Sequence, residues 1–224
     1  MNDTLSEQIL SNFPFEPSEE QLSAIESLAG FVSGPDNRRI FILRGYAGTG
    51  KTSIIAALVR TLYNTGRKAV LMAPTGRAAK VMAGYSGMRA YTIHKQIYAV
   101  VPRESGGISF SMRPNKLKNA VFIVDEASML TDRPGESLVN SSSSLLDDLL
   151  SYVFSGAGCR LILVGDRAQL PPVGYSDSPA LEERTFESGY GIDCTGMDLT
   201  RVYRQSQKSD ILHNATAIRQ TMAD

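Results

Sequence analysis

The sequence predicts an α/β domain in which helices flank a doubly wound parallel sheet. Four apolar runs, Ile40 to Leu43, Ala69 to Met72, Val121 to Val124 and Leu161 to Val164, are rich in Val, Ile and Leu and lack strict alternation, the pattern of strands buried on both faces. Helical patterns lie between them at Lys51 to Leu62, Ala78 to Ala83 and Ser144 to Val153, so strand and helix alternate. The chain has 224 residues, 42% hydrophobic and 21% charged, enough for a full core and typical of one domain with at most a small insertion.

Taken in order, Ser18 followed by Gln21 is a capping-box pattern, and Leu22, Ile25 and Leu28 form the apolar stripe of the helix it opens. Each buried run is then paired with a helical pattern until Ala99 to Leu117. There a Gly-Gly turn flanked by short β-prone pieces predicts a hairpin insertion over residues 99–117. No internal repeat is visible, and Ser141 to Ser144 is the sole low-complexity run.

Formal net charge is zero, with 23 basic and 23 acidic side chains, but the charges are segregated. Residues 1–36 hold seven acids and no base, whereas residues 37–119 hold fifteen bases against the single acid Glu104. Such a block is the pattern of one anion-facing surface, or of a solvated face serving solubility. Cys159 and Cys194 are far apart and outside any metal-ligand spacing, which argues against a disulfide framework and a zinc site and for a reducing, cytoplasmic setting. The N-terminus lacks the basic and apolar regions of a secretory signal, and no run approaches the length needed to span a bilayer.

Gly45-Tyr46-Ala47-Gly48-Thr49-Gly50-Lys51-Thr52 matches G-x-x-x-x-G-K-[ST] between a predicted strand and a predicted helix, the context the motif requires. Its glycines let consecutive N–H groups face phosphate oxygens, and the helix adds its positive end. Lys51 is expected to bridge the β and γ phosphates of ATP, and Thr52 to place its hydroxyl on Mg²⁺. Asp125 and Glu126 end the third buried run, at the carboxyl edge where ligands of parallel sheets sit. An acid pair in that position is commonly a helix cap. Downstream of a P-loop it reads instead as a Mg²⁺ partner, Asp125, and a water-activating base, Glu126.

The segments GYAGTGKTS (45–53), APTGRAAKVM (73–82), TIHK (92–95), VDEASML (124–130), LILVGDRAQLPPVG (161–174) and LTRVYRQS (199–206), with Gln21 upstream, resemble in order and spacing the superfamily 1 DNA helicases, most of all their RecD-like and Dda-like branch. The resemblance runs from about Ser18 to Arg219. It implies a RecA-like ATPase lobe over residues 1–224, to be completed by a second, C-terminal lobe that nothing after Arg204 resembles. The implied nucleotide-binding set is Gln21, Gly45, Ala47, Gly48, Thr49, Gly50, Lys51, Thr52, Ser53 and Tyr203, with Thr52 and Asp125 toward the metal. Gln21 would meet the adenine edge, or would simply close its capping box; the two roles are compatible. Tyr203 would stack on adenine or pack in the core. Lys51, Glu126, Gln169 and Arg204 carry the implied catalytic roles, Gln169 beside the γ-phosphate and Arg204 as an arginine finger.

For single-stranded DNA or a single/double-strand junction, the resemblance implies Pro74, Thr75, Gly76 and Arg77 as a phosphate-binding turn, and Thr92 and His94 as a second contact. A structural role for His94 is an even alternative. The hairpin lies where relatives insert a strand-separating pin. The expected function is thus an ATP-driven DNA helicase or translocase moving 5′ to 3′. Another P-loop ATPase is the alternative, as is a nucleotide- or DNA-binding module with little turnover.

Overall fold

The computed structural model describes residues 3–35, 38–102, 107–169, 171–172 and 174–202. Its elements run α1 (Leu5–Ser11), α2 (Glu19–Ser33), β1 (Arg39–Gly45), α3 (Lys51–Asn64), β2 (Ala69–Ala73), α4 (Gly76–Ser86), β3 (Ala90–Thr92) and α5 (Ile93–Ile97). There follow β4 (Tyr98–Pro102), β5 (Ile108–Met112), β6 (Val121–Val124), α6 (Leu145–Ser155), β7 (Arg160–Gly165), α7 (Glu183–Tyr190) and β8 (Asp193–Leu199).

Six strands form one sheet in the order β3-β2-β6-β7-β1-β8, and every pairing is parallel. The four apolar runs are its four central strands. Their side chains divide by parity: Ile40, Ile42, Phe122, Val124, Leu161 and Leu163 pack on the α6 side, while Phe41, Leu43, Val121, Ile123, Ile162 and Val164 pack on the α2 and α3 side. Two cores, one on each face, explain why these runs carry no polar alternation.

Because all six strands are parallel, the loops after their carboxyl ends lie along one edge. That edge collects the segments beginning at Tyr46, Pro74, Ile93, Asp125, Asp166 and Thr200. The topology therefore gathers motifs spread over more than 150 residues of chain.

The inserted hairpin is smaller than its predicted range. β4 and β5 pair antiparallel from Tyr98 with Met112 to Pro102 with Ile108, and residues 113–117 return to the body. Arg113 donates to Ile97 O and Tyr98 O, and Asn115 donates to Tyr152 O and Val153 O, so this stretch is committed to the α6 side. The hairpin base is pinned by the Tyr98 hydroxyl, which donates to the buried Asp148 at 2.5 Å; Ser137 donates to the same oxygen. Burial, then the bond to Asp148, pushes the Tyr98 phenol up to about 12. Tyr98→Phe is expected to cost about 1–2 kcal/mol in urea unfolding, since Asp148 keeps the Ser137 bond but loses the other.

Candidate nucleotide site and its neighbours

The strand-to-helix turn at Gly45–Lys51 takes its shape from its sequence. Gly50 sits at φ 100°, ψ 7° as the cap residue of α3, a backbone region that disfavours any side chain, and a Cβ there would run into the Gln21 amide. Thr49, fully buried, donates its hydroxyl to Tyr46 O at 2.9 Å and closes the loop on itself. The Lys51 ammonium lies inside the turn, donating to Gly45 O and to Tyr46 O at 3.0 Å. A cation held against backbone carbonyls of a glycine-rich turn at a helix N-terminus suits phosphate oxygens. Thr52 and Ser53 follow in the first turn of α3, with Thr52 exposed.

Gln21 realises its capping box. Its Oε1 accepts from Ser18 N–H at 3.0 Å, and its own N–H donates to the Ser18 hydroxyl at 3.3 Å. Its Nε2 donates to Thr49 O at 3.0 Å, which ties α2 to the P-loop. The capping role is thus observed, and the amide stands beside the turn that the sequence assigned to phosphate.

Asp125 follows β6, its N–H donating to Met72 O of β2. Its Oδ1 accepts from Glu126 N–H at 2.9 Å and its Oδ2 from the Tyr85 hydroxyl at 2.8 Å, so the carboxylate is oriented on both oxygens. Burial, then the neighbouring Asp125, raises the Tyr85 phenol far out of the physiological range, leaving it a fixed donor. Glu126 adopts φ 55°, ψ 36°, a left-handed conformation that few non-glycine residues take. Such strain is typical of functional turns, and here it falls on the residue read as the base. Glu126 is not an ordinary helix cap: its side chain makes no capping bond.

Ser128, in the short helical turn after Glu126, donates to Gln169 Oε1 at 2.8 Å. Gln169 is otherwise exposed, at the end of a turn built by Asp166, which accepts from Ala168 N–H at 2.8 Å. The loops after β6 and β7 are therefore joined side chain to side chain. Tyr203 and Arg204 lie outside the described residues.

On the β2 and β3 side, Thr75 caps α4 by accepting from Ala78 N–H, and Thr92 caps α5 by accepting from Lys95 N–H. Ala73 and Thr92 are register partners, so Pro74 to Arg77 and Thr92 to His94 leave the sheet side by side. Gly76 and Arg77 are exposed, and the His94 ring contacts Tyr98 with centroids 5.7 Å apart. A cavity of about 230 Å³ lined by Thr75, Arg77, Ala78, Val81, Asp125, Glu126 and Met129 joins this surface to the acid pair.

The basic block needs one revision. Arg44, counted within it, is withdrawn from the surface: 5% exposed, it donates to both oxygens of Glu183, to both of Asp198 and to Leu181 O. Arg167 bonds Glu182 at 3.0 Å and approaches Asp198 at 3.9 Å, extending the cluster to the loop after β7. Both thiols are free, burial pushing that of Cys194 up to about 12. Among the described residues no cluster of three or more metal-ligating side chains occurs, and no helix is long and apolar enough to cross a membrane.

Fold and loop cluster define a P-loop NTPase. Residues 16–224 match the family model described as an AAA domain, and the chain belongs to that family; its similarities lie among superfamily 1 helicases of the RecD- and Pif1-like kind. It is 33% identical over 201 residues to the ATP-dependent RecD2 DNA helicase of Deinococcus radiodurans, covering 88% of this chain and 23% of that protein. It is 31% identical over 180 residues to the ATP-dependent DNA helicase dda of Enterobacteria phage T4, covering 79% and 37%. The fold is similar to that of the Pif1 helicase from Candida albicans, with TM-score 0.56 and 18% identity over 92% of this chain and 44% of that one. The chain thus spans between about a quarter and somewhat under half of the length of these relatives.

Proposed function

We propose that the chain is the ATP-binding motor lobe of an ATP-dependent DNA helicase or translocase moving 5′ to 3′ on single-stranded DNA. The observation that carries the reading is the shared cavity. One wall is the acid pair Asp125 and Glu126, and the other is the Thr75 to Arg77 turn whose exposed guanidinium suits a phosphate backbone.

The residues fit a triphosphate with Mg²⁺: the ammonium-centred turn for the phosphates, and for the cation a hydroxyl at Thr52 and a carboxylate at Asp125, both hard oxygen donors. When bound, Mg²⁺ would neutralise charge on the transferred phosphoryl group. Lys51 exchanges its carbonyl partners for phosphate oxygens. Glu126 holds and deprotonates the attacking water, while Tyr85 and the Glu126 N–H keep Asp125 in place. Gln169, tied to Ser128, passes the state of the Glu126 turn to the loop after β7. Arg204 and a partner lobe complete the charge stabilisation. Gln21 would add adenine recognition with the remaining capacity of its amide.

Two measurements test this reading. Phosphate release by the 224 residues alone should be slow, about a thousandfold or more below that of a completed site, because the partner lobe's share of the charge stabilisation is missing and the absence of one such cation has that effect in comparable phosphoryl-transfer sites; robust DNA-stimulated turnover would contradict it. Single-stranded DNA binding should ignore base sequence and fall with salt at a log-log slope of roughly 0.7 per phosphate contacted. Arg77→Ala should lower that slope by about one contact while nucleotide binding is retained. Equal slopes would return Arg77 to the solvated face.

A further inference from the structure

Pro74 to Arg77 form the turn between β2 and α4, and both of those elements hold Asp125. β2 holds its backbone, Asp125 N–H donating to Met72 O at 3.0 Å. α4 holds its side chain: the hydroxyl of Tyr85, in the last turn of the helix, donates to Asp125 Oδ2 at 2.8 Å. Oδ1 is taken by the adjacent Glu126 N–H, so Tyr85 is what ties this carboxylate to a distant element. Arg77 and Tyr85 stand in one helix, separated by a rise of about 12 Å. A single rigid element therefore runs from the exposed guanidinium to the carboxylate read as the Mg²⁺ partner.

The helix is closed at both ends. Thr75 accepts from Ala78 N–H at 3.2 Å at its start, and Gly87 N–H donates to Ala83 O at 3.1 Å at its finish. Ala79 and Met82 bury its inner face, and the Tyr85 ring packs against the core that Met82 shares with α3. Phenylalanine in place of Tyr85 would keep that packing and remove the bond to Asp125. Thr75, Arg77, Ala78 and Val81 also share a cavity with Asp125 and Glu126, so the turn and the acid pair are neighbours across it. The Ser128 to Gln169 bond leads elsewhere, to the loop after β7, and leaves this connection separate.

We propose that Tyr85 is a positioning residue that couples single-stranded DNA to the nucleotide site: through it, α4 makes the place of the Thr75 to Arg77 turn and the place of Asp125 one variable. The inference rests on the ATP- and DNA-site reading above. A phosphate that draws Arg77 shifts or fixes α4, and Asp125 follows through the Tyr85 bond. A pull on Asp125 reaches the turn by the same path in reverse. Coupling of this kind is a free energy shared by two sites, so each ligand changes the affinity of the other by the same factor.

The test uses the 224-residue chain, a fluorescently labelled oligothymidylate and a non-hydrolysable ATP analogue, saturating for each variant, with Mg²⁺ constant throughout. In the wild type the analogue should change oligonucleotide affinity about fivefold, the lower end of ordinary coupling. In Tyr85→Phe that change should fall below about twofold, while oligonucleotide affinity without the analogue stays within about twofold of the wild type. A merely structural role would lower affinity with and without the analogue alike and leave their ratio unaltered. Arg77→Ala should also lose the ratio, and the double variant should lose no more of it than either alone. Chelating the Mg²⁺ should bring the wild-type ratio down to that of Tyr85→Phe, because the path runs through the carboxylate. A ratio retained in Tyr85→Phe, in Arg77→Ala or under chelation, or a wild-type ratio near one with both ligands bound, overturns the proposal. If the wild-type chain binds neither probe, the site reading fails by itself. Hydrogen exchange then still bears on the tie: the amides of Met82 to Ser86 should exchange about fivefold faster in Tyr85→Phe, and unchanged rates would overturn it.

Discussion

Glu126→Gln, placed in a protein that joins this lobe to its partner lobe, is expected to lower ATP hydrolysis about a hundredfold to ten-thousandfold, the usual contribution of a positioned general base, while nucleotide affinity stays near that of the wild type. The amide preserves the size of the side chain and the left-handed turn but cannot take the proton of the attacking water. Lys51→Ala should differ in kind, losing affinity as well as turnover, because the turn then lacks the cation at its centre. Steady-state phosphate release with DNA, paired with equilibrium nucleotide binding, separates the two. Near-normal release by Glu126→Gln would require another base.

The second large effect concerns stability. Arg44→Met should cost about 3 kcal/mol in urea unfolding, the lower end for breaking a buried ion pair, because Glu183 and Asp198 are 32% and 46% exposed and recover some hydration. Donation from Arg44 is the main cause holding the Glu183 carboxyl below its usual range. A carboxyl depressed in the folded state stabilises above its unfolded pKa of about 4.3, and that contribution is lost as pH falls through the lower folded value. The wild-type advantage over Arg44→Met should therefore be full at pH 7 and shrink on acidification. Gly196→Ala should destabilise through the same cluster, since its Cβ would collide with Glu183 and Arg44, and the two losses should not add. Additive losses would show that the glycine is needed for some other reason.

The central strands, the P-loop and the acid pair are legible in the sequence because each has a local signature: an apolar run without alternation, or glycines at fixed offsets before a Lys. β8 is not, because it is an edge strand written Asp193-Cys194-Thr195-Gly196-Met197-Asp198-Leu199. Its identity is set by Arg44 across the sheet rather than by β propensity. β3, three residues long, is too short for any period to show. α1 carried a readable signal, the capping box of Thr4 and Glu7, which the structure contains. Tyr85, Ser128 and Glu20 are invisible in the same sense: their partners Asp125, Gln169 and Thr200 lie 40, 41 and 180 residues away, and only the fold makes them neighbours. The 76–86 helix outgrows its apolar pattern because Thr75 caps it and Gly87 ends it in a left-handed turn.

The Arg44 cluster also has a history in time. Its carboxylate partners lie 139 and 154 residues downstream, so on a ribosome adding about 5–20 residues per second the guanidinium waits roughly 7–30 s for them. For most of that interval, until Arg160 to Gly165 have been made, β1, an interior strand of the sheet, has neither β7 nor β8 beside it and offers an apolar strand with both edges open. The nascent chain is thus most exposed to mispairing just after its phosphate-binding turn has been made. Safety comes with the arrival of Asp193 to Leu199, the last strand of the sheet to be synthesised.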